Sequence, residues 1–372
     1  MMQDGTGSKK LNIGILCGGK SAEHEVSLQS AKNIFEAIDR EKYNPILIGI
    51  DKSGRWLYGK HTKASEFIDN ADNPITIGLN PNGTEAWLPA KSMGILSLPK
   101  DPQNSVQIDV IFPILHGPFG EDGTVQGLLK LADIPFVGSG VLGSAAGMDK
   151  DVMKRLLKQG GIPIGKFLVL RDWETIPPFA EICTALGNSV FVKPANMGSS
   201  VGVSKVSSKE DFCNAVNEAF KYDTKIIIEE NIPGREIECS VLGNDTPRAS
   251  LPGEVKATRD FYSYEAKYVD ADGAVLEIPA RVPEDKTKEI QSLAIKTFQI
   301  LECQGLSRVD FFLKENGDIL VNEINTMPGF TKISMYPKLW EKSGIGYTEL
   351  ITSLIELAIE RFNKEQKLKT SR

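Results

Sequence analysis

Cysteine, histidine and long apolar runs are all scarce in this chain. Its 372 residues include five cysteines without Cys-x-x-Cys spacing and three histidines without paired spacing. Such cysteines are typical of reduced packing residues in a cytoplasmic protein, and such histidines argue against a zinc site. No apolar run approaches the ~20 residues of a transmembrane helix, and the polar start does not resemble a secretory signal. We therefore expect a cytoplasmic protein without membrane contact.

Positive charge is not in excess either. The chain has 43 Lys and Arg residues against 49 Asp and Glu residues, for a net charge of −6. This balance argues against a nucleic-acid or membrane-surface partner, so an anionic substrate needs a local group of cations. Two common nucleotide signatures are also missing. The Gly18–Gly19 turn is not Gly-x-Gly-x-x-Gly, and the sequence has no Walker A loop.

Three blocks with different patterns follow one another along the chain. Residues 1–146 begin with a strand, a glycine turn and a helix, the βαβ opening of an α/β domain. Residues 147–232 alternate short strands and helices and predict a small α+β unit. Residues 233–372 predict a second α+β domain that contains a hairpin and a terminal helix. The fold class is therefore α/β, with ligands expected at the carboxyl ends of the N-terminal parallel strands.

The hairpin predicted at residues 307–325 places two acidic side chains opposite each other. Asn316–Gly317 indicates a two-residue type I′ turn, because both central residues of that turn need positive φ. The resulting register pairs Asp310 with Glu323. Since side chains alternate between faces, one face carries Arg308, Asp310, Phe312, Val321, Glu323 and Asn325. The other face carries Val309, Phe311, Leu313, Leu320 and Ile324, with Asn322 as a polar exception.

Two opposed carboxylates repel each other, so a positive group is expected between them. Arg308 could provide that charge in a structural ion-pair network. A divalent metal is the alternative, since two carboxylates and the Asn325 amide are hard oxygen ligands of the kind that Mg²⁺ takes. The hairpin alone leaves both interpretations open.

Other stretches offer groups to a phosphate, and each has a plainer interpretation. Ser199 and Ser200 lie in the glycine-flanked segment 198–202, which can present N–H groups and hydroxyls to phosphate oxygens but could also be an ordinary turn. Lys150 and Lys193 could supply cations, although a solvated helix face is the default for the first.

Three more segments and the single residue Glu236 could contribute to a nucleotide or substrate site. The strand at 226–232 could offer backbone groups to an adenine ring, or could simply end there. Glu236 could bond a ribose, or form a surface salt bridge. The loop at 253–272 is long enough to be a lid. The bend at 326–331 could aim N–H groups at a developing oxyanion.

In their order along the chain, these stretches closely resemble the D-alanine–D-alanine ligases of the ATP-grasp superfamily. Each stretch is weak alone, but their joint order is highly specific and covers nearly the whole chain. The matching stretches are Gly18–Ser27, His116–Gly117 with Gly120–Thr124, Met148–Lys150, Val192–Pro194 with Gly198–Gly202, Tyr264–Tyr268, Arg308–Asp310 and Asn322–Thr331.

The resemblance implies an N-terminal substrate domain, a central ATP-grasp subdomain and a C-terminal catalytic domain within the three blocks. It implies that ATP phosphorylates one D-alanine, whose acyl phosphate is attacked by the amine of a second D-alanine. It also implies two Mg²⁺ ions, for which Mn²⁺ can substitute, and a homodimer that acts on small molecules. Another ATP-grasp ligase, a D-lactate or D-serine ligase, and a non-catalytic ATP-binding protein are the rival interpretations.

The resemblance also assigns roles to individual residues. The metal ligands are Asp310, Glu323 and Asn325. The ATP-binding set is Lys150, Lys193, Ser199, Ser200, Glu229, Glu230, Ile232, Glu236, Lys267, Asn322 and Glu323. The substrate-binding set is Glu23, His116, Arg308, Gly329, Ser334 and Met335. The catalytic set is Glu23, Ser199, Tyr268, Arg308, Gly329 and Ser334.

Overall fold

The computed structural model describes residues 9–59, 63–70, 77–257 and 274–369. Lys267, Tyr268 and most of the predicted lid lie outside these ranges. The first residues of that predicted loop are not loop, because Gly253–Ala257 form a strand. Within the described ranges, no helix is long and apolar enough to cross a membrane.

The N-terminal region is built on a parallel core. Its strands are β1 (Leu11–Gly18), β2 (Tyr43–Ile50), β3 (Trp56–Tyr58), β4 (Ile68–Asp69), β5 (Gly78–Leu79), β6 (Thr84–Glu85), β7 (Ile95–Leu96), β8 (Val106–Gln107) and β9 (Val110–Pro113). Its helices are α1 (His24–Ala37), α2 (Thr124–Leu131) and α3 (Val141–Met148). The main sheet has the order β6-β3-β2-β1-β9, with β1 parallel to both neighbours and β3 antiparallel to β2. The neighbouring strands β8 and β9 belong to different sheets, because β8 pairs with β7.

The central region forms a four-stranded antiparallel sheet. It contains α4 (Lys150–Gln159), β10 (Phe167–Arg171), α5 (Phe179–Leu186), β11 (Val190–Pro194), β12 (Ser204–Val206), α6 (Lys209–Ala219) and β13 (Lys225–Glu230). The strand order is β10-β13-β11-β12. The buried run Ile226–Ile228 makes β13 the central strand, since both of its faces are covered. The acids at the end of β13, Glu229 and Glu230, therefore lie at one end of the central part of this sheet.

The C-terminal region is a six-stranded sheet that carries the hairpin. It contains β14 (Arg235–Gly243), β15 (Arg248–Ala249), β16 (Gly253–Ala257), β17 (Ala274–Glu277), α7 (Glu284–Ile300), β18 (Gly305–Leu313), β19 (Ile319–Asn325), α8 (Met335–Lys342) and α9 (Tyr347–Glu365). The order is β17-β16-β14-β18-β19, with β15 also paired to β14. Each of the three predicted ranges thus holds one main sheet, and their boundaries stay a prediction.

The predicted register of the hairpin is confirmed at the acidic residues, but its turn is not. Asp310 pairs with Glu323, and Arg308 pairs with Asn325. The loop has three residues, because the Lys314 N–H bonds to the Asp318 carbonyl and only Gly317 of the Asn-Gly pair has positive φ.

A β-bulge compensates for the register shift that the extra loop residue causes. Phe311 pairs with Val321, so Asn322 has no partner in the register. Val321 is consequently buried in the core, and Leu320 lies opposite Phe312. The predicted faces of Val321 and Leu320 were therefore wrong. Asn322 is no longer a polar exception on the apolar face, because the bulge lets it line the same cavity as Glu323.

The hydrophobic cores join the regions instead of separating them. Met153 and Leu157 of α4 pack into the core under the C-terminal sheet. The terminal helix α9 packs against the N-terminal sheet, in one cluster with β1 and α1. Buried Arg361 of α9 donates hydrogen bonds to the Phe136 carbonyl at 2.8 Å and to the Gly138 carbonyl. These contacts hold the N-terminal and C-terminal sheets in a defined relation around the space between them.

Candidate active site

A cavity of about 1120 Å³ lies where the three regions meet. Every predicted site residue within the described ranges lines it. From the N-terminal region these are Glu23 and His116, and from the central region Lys150, Lys193, Ser199, Ser200, Glu229, Glu230 and Ile232. From the C-terminal region they are Glu236, Arg308, Asp310, Asn322, Glu323, Asn325, Gly329, Ser334 and Met335. Residues predicted from three separate blocks thus share one space.

One corner of the cavity joins the N-terminal region to the glycine–serine loop. The Ser199 hydroxyl donates a short hydrogen bond to the buried Glu23 carboxylate. Ser199 and Ser200 have φ values of 49° and 60°, and the Val201 N–H closes the turn onto the Gly198 carbonyl at 3.1 Å. Left-handed conformations at non-glycine residues cost on the order of 1–3 kcal/mol each and cluster at functional sites.

The space around Glu23 depends on glycine. A Cβ on Gly198 would lie 3.0 Å from Glu23 Oε2. A Cβ on Gly117 would also lie 3.0 Å from that oxygen and 2.8 Å from Ser21 Oγ, and the φ of Gly117 is +76°. Any side chain at either position would therefore push against the carboxylate that the substrate ammonium is predicted to meet.

A cluster of lysines faces this corner. Lys150 Nζ donates to the Met197 carbonyl at 2.7 Å and lies 3.8 Å from Glu323 Oε2. Burial lowers the pKa of Lys150, with Lys193 adding to the effect and Glu323 opposing it. Burial also acts against the charge of Lys193, but the Glu229 and Glu323 carboxylates outweigh it and raise the pKa of Lys193. Two cations in one buried space suit a polyphosphate.

Glu229 is bound on both sides. Lys154 Nζ lies 2.8 Å from one of its oxygens, and Lys193 Nζ contacts the other at short range. Burial would raise the pKa of this carboxyl, but the two lysines hold the pKa at about 2. Lys154 was not among the predicted site residues. Its position four residues after Lys150 on α4 would have been the signal, since such residues share one helix face.

The acidic face of the hairpin carries one strong ion pair. Arg308 Nε and one terminal nitrogen each donate to Asp310 at 2.7 Å, which is a bidentate pair. Arg308 Nε also lies 2.9 Å from Glu238 Oε2, and Asn325 Nδ2 donates to Asp310 at 3.0 Å. Glu238 was missed, because only the pairing of β14 with β18 places it beside Asp310. Arg308 therefore lies between Asp310 and Glu238, whereas the ion-pair interpretation expected it between Asp310 and Glu323.

The metal interpretation is tested by the donor set. Within the described ranges, no three His, Cys, Asp or Glu side chains form a metal-binding group. The predicted set has only two carboxylates, and its third member is an amide. Mg²⁺ commonly takes one or two protein carboxylates and completes its shell with water and phosphate oxygens. Asp310, Glu323 and Asn325 therefore fit a metal that arrives with a phosphate group.

His116 is buried and bonded on both ring nitrogens. Nδ1 lies 3.0 Å from the Met327 carbonyl, and Nε2 lies 3.5 Å from Ser30 Oγ. Burial alone would lower the pKa of His116, but the Glu121 and Glu23 carboxylates outweigh it and raise the pKa. Glu121, which was missed, lies 3.6 Å from Nδ1. His116 thus lines the cavity mainly as a link between two regions.

The predicted subsite for the second substrate lies at the start of α8. Ser334 precedes the helix, and its hydroxyl accepts from the Thr331 N–H at 3.1 Å. A Cβ on Gly329 would approach Ser334 Oγ to 3.1 Å, so the Gly329 backbone and that hydroxyl are close. Met335 is buried against Val255 and Leu339. No side chain caps the start of α8, and an uncapped helix start beside Ser334 is a favourable place for a carboxylate.

Three sheets around a cavity lined with lysines and carboxylates are the arrangement of an ATP-grasp protein. The family model "D-ala D-ala ligase N-terminus" matches residues 12–139, and "D-ala D-ala ligase C-terminus" matches residues 156–356. The chain belongs to the D-alanine–D-alanine ligase family.

Individual relatives match over nearly their full length. The D-alanine–D-alanine ligase of Oceanobacillus iheyensis is 54% identical over 98% of this chain and 99% of its own. D-alanine–D-alanine ligase A of Escherichia coli K12 is 53% identical over 98% of this chain and 100% of its own.

Solved structures of relatives share the fold. The D-alanine–D-alanine ligase from Coxiella burnetii has a TM-score of 0.81 at 39% identity, covering 96% of this chain and 98% of its own. The VanG D-Ala:D-Ser ligase from Enterococcus faecalis has a TM-score of 0.82 at 34% identity, covering 94% and 100%.

Proposed function

We propose that this protein joins two D-alanine molecules into D-alanyl-D-alanine with ATP, releasing ADP and phosphate. The observation that carries the proposal is the composition of the cavity where the three regions meet. It sets the Glu23–Ser199 corner, which suits an amino acid, against the Lys150 and Lys193 cluster, which suits a phosphate chain. An amino-acid carboxylate bound between them would meet the terminal phosphate of ATP.

The residues of the chain divide the work in the order of the reaction. Glu23 binds the ammonium of the first D-alanine, and the lysines neutralise the phosphates while the carboxylate oxygen attacks the γ-phosphorus. ADP leaves, and an acyl phosphate remains. The amine of the second D-alanine, held by its carboxylate at Ser334 and Met335, attacks the acyl carbon. Arg308 and the Gly329 N–H stabilise the resulting oxyanion until phosphate is expelled.

The nucleotide lies against β13 in this proposal. Glu229, Glu230 and Ile232 contact the adenine, and Glu236 bonds the ribose. The Glu230 side chain already accepts from the Lys166 N–H at 2.7 Å, which fixes the strand end. Ser200 and Asn322 contact phosphates. The resemblance assigns Lys267 to the γ-phosphate and Tyr268 to the second subsite.

Asp310, Glu323 and Asn325 would hold two Mg²⁺ ions, with Mn²⁺ as a substitute. When bound, such ions would supply positive charge that neutralises the phosphates of ATP. The oxygens of Asp310 that Arg308 engages have further lone pairs, so the ion pair and a metal can share this carboxylate. The enzyme acts as a cytoplasmic homodimer in peptidoglycan precursor synthesis.

A panel of second substrates tests the proposed function. The choice of nucleophile needs a test because the chain is also similar to a D-Ala:D-Ser ligase. Phosphate release and product analysis are measured with D-alanine alone and with D-alanine plus D-serine or D-lactate. We expect D-alanyl-D-alanine as the main product, with little or no D-alanyl-D-lactate at neutral pH.

Two outcomes would contradict that assignment. A mainly ester or D-alanyl-D-serine product would change the substrate while keeping the reaction class. No phosphate release with any D-amino acid would leave only ATP binding, and would reject the ligase proposal.

Changing Glu23 tests the first subsite. Glu23→Gln keeps the volume but removes the charge that pairs with the substrate ammonium. We expect the KM of the first D-alanine to rise at least about tenfold, the loss of roughly 1.4 kcal/mol, with the KM of ATP unchanged. Initial rates over a range of D-alanine concentrations separate the two Michaelis constants.

Glu25→Gln is the matched control for this change. Glu25 lies two residues further on and also lines the cavity, but its carboxylate pairs with Lys52 at 2.7 Å. Equal effects of the two substitutions would remove Glu23 from the role of ammonium partner.

A further inference from the structure

Ser30 is a fully buried polar residue on α1 that none of the proposed steps uses. Its Oγ accepts a hydrogen bond from the Phe330 N–H at 3.3 Å, and it lies 3.5 Å from His116 Nε2. Phe330 directly follows Gly329, whose own N–H is the proposed oxyanion donor. A helix of the N-terminal region therefore holds the backbone of a C-terminal loop next to the proposed chemistry.

His116 holds the same loop on the other side of Gly329. A carbonyl can only accept, so His116 Nδ1 must carry the proton that bonds to Met327 O at 3.0 Å. We name Ser30 and His116 the loop clasp. Ser30 bonds to the backbone one residue after Gly329, and His116 bonds to the backbone two residues before it. Both clasp residues belong to the N-terminal region.

Packing leaves the clasped segment little freedom. The Phe330 side chain is fully buried and lies edge-on to Phe112 of β9, with ring centroids 5.8 Å apart. The Tyr347 hydroxyl donates to the Phe330 carbonyl. The Phe330 N–H therefore has no route to water, and Ser30 Oγ is its acceptor. Without that acceptor, the peptide must rotate or stay unsatisfied, and either change reaches the neighbouring Gly329 peptide.

We infer that Ser30 is a positioning residue, which sets the direction of the Gly329 N–H through the loop clasp. This inference rests on the proposed function, because it assumes that the Gly329 N–H stabilises an oxyanion. It adds a role for the interface between the regions. Helix α1 begins beside Glu23 and also orients the Gly329 N–H across the cavity. It therefore fixes the position of the oxyanion donor relative to the ammonium subsite.

Ser30→Ala is compared with Ser139→Ala, a matched control. Ser139 is also buried in the N-terminal region, and its Oγ likewise accepts from a C-terminal backbone N–H, that of Gln304 at 3.1 Å. Neither Ser139 nor Gln304 lines the cavity. Both variants lose the same kind of bond, but only one of these bonds adjoins the site.

Both variants should lower the denaturation midpoint in urea. Only Ser30→Ala should lower kcat, by about 10- to 100-fold, since a shift of ~1 Å in a reacting group can cost about 10²-fold. The KM of ATP should stay within about twofold of wild type, because a transition-state donor affects kcat and not uniform binding. The kcat of Ser139→Ala should equal that of the wild type.

A wild-type kcat in folded Ser30→Ala would overturn the inference and leave Ser30 a purely structural role. Equal losses of kcat in both variants would also overturn it. If Ser30→Ala does not fold, Ser30→Cys replaces the hydroxyl oxygen with a larger and much weaker acceptor, which cannot hold the Phe330 N–H in the same position. The expected kcat of that variant is reduced, and a wild-type value again rejects the role. Failure of the wild type to release phosphate would instead reject the proposed function, so the two failures are distinguishable.

Discussion

Asp310→Asn and Glu323→Gln are each expected to lower kcat at least about 100-fold while the fold is largely kept. Each change removes one charge and almost no volume from the acidic face of the hairpin. If these carboxylates hold metal against the phosphates, losing one costs at least about 3 kcal/mol of transition-state stabilisation. Single-turnover phosphate release at saturating ATP measures the effect, and circular dichroism checks the fold.

Asp318→Asn is the control for this experiment. Asp318 lies in the turn of the same hairpin, its side chain is 59% exposed, and it accepts from Asn316 Nδ2 at 2.8 Å. The kcat of Asp318→Asn should equal that of the wild type. The ion-pair interpretation would be preferred if both test variants unfolded while the wild type bound ATP normally without a divalent metal.

Glu229→Gln is expected to lower the free energy of unfolding by about 3–5 kcal/mol at neutral pH, the usual cost of removing one partner from a buried ion pair. The substitution leaves Lys154 and Lys193 without the carboxylate that each contacts. Urea denaturation measures the effect. As a control, Glu218→Gln breaks the surface pair with Lys221 and should leave the midpoint unchanged.

The effect of Glu229→Gln on stability should depend on pH. The pKa of Glu229 falls from its ordinary value of 4.5 to about 2 in the folded protein. A carboxyl with a lowered folded pKa stabilises the protein above its unfolded pKa and loses that effect as pH falls through the folded pKa. The stability difference between wild type and Glu229→Gln should therefore shrink between about pH 4.5 and pH 2. A difference that stays constant over this range would contradict the paired state of Glu229.

Local patterns in the sequence predicted many of the elements. The predicted terminal helix lies at Tyr347–Glu365, and the strand predicted at 226–232 lies at Lys225–Glu230. Periodic apolar positions and end signals lie within each such element, so the information is local. Short element-specific motifs, such as the segments at 18–27 and 322–331, likewise identified the residues that line one cavity.

The turn and the face of each β19 residue could not be predicted in this way. The sequence predicted the correct pairing of Asp310 with Glu323 from an incorrect two-residue turn. A three-residue loop shifts the register by one position, and the bulge at Asn322 shifts it back. Both adjustments arise because Val321 packs in the core while the acids face the cavity, which is a tertiary requirement.

The sequence by itself therefore determined the family, the main helices and strands, and most of the residues that line the cavity. Only the tertiary structure decided that Glu238 lies beside Arg308, that Lys154 and Lys193 enclose Glu229, and that Ser30 holds the Phe330 N–H. The physical reason is distance along the chain. Each of these partners comes from a different element, and an ion pair or hydrogen bond at 3 Å leaves no periodic trace in the sequence of either element.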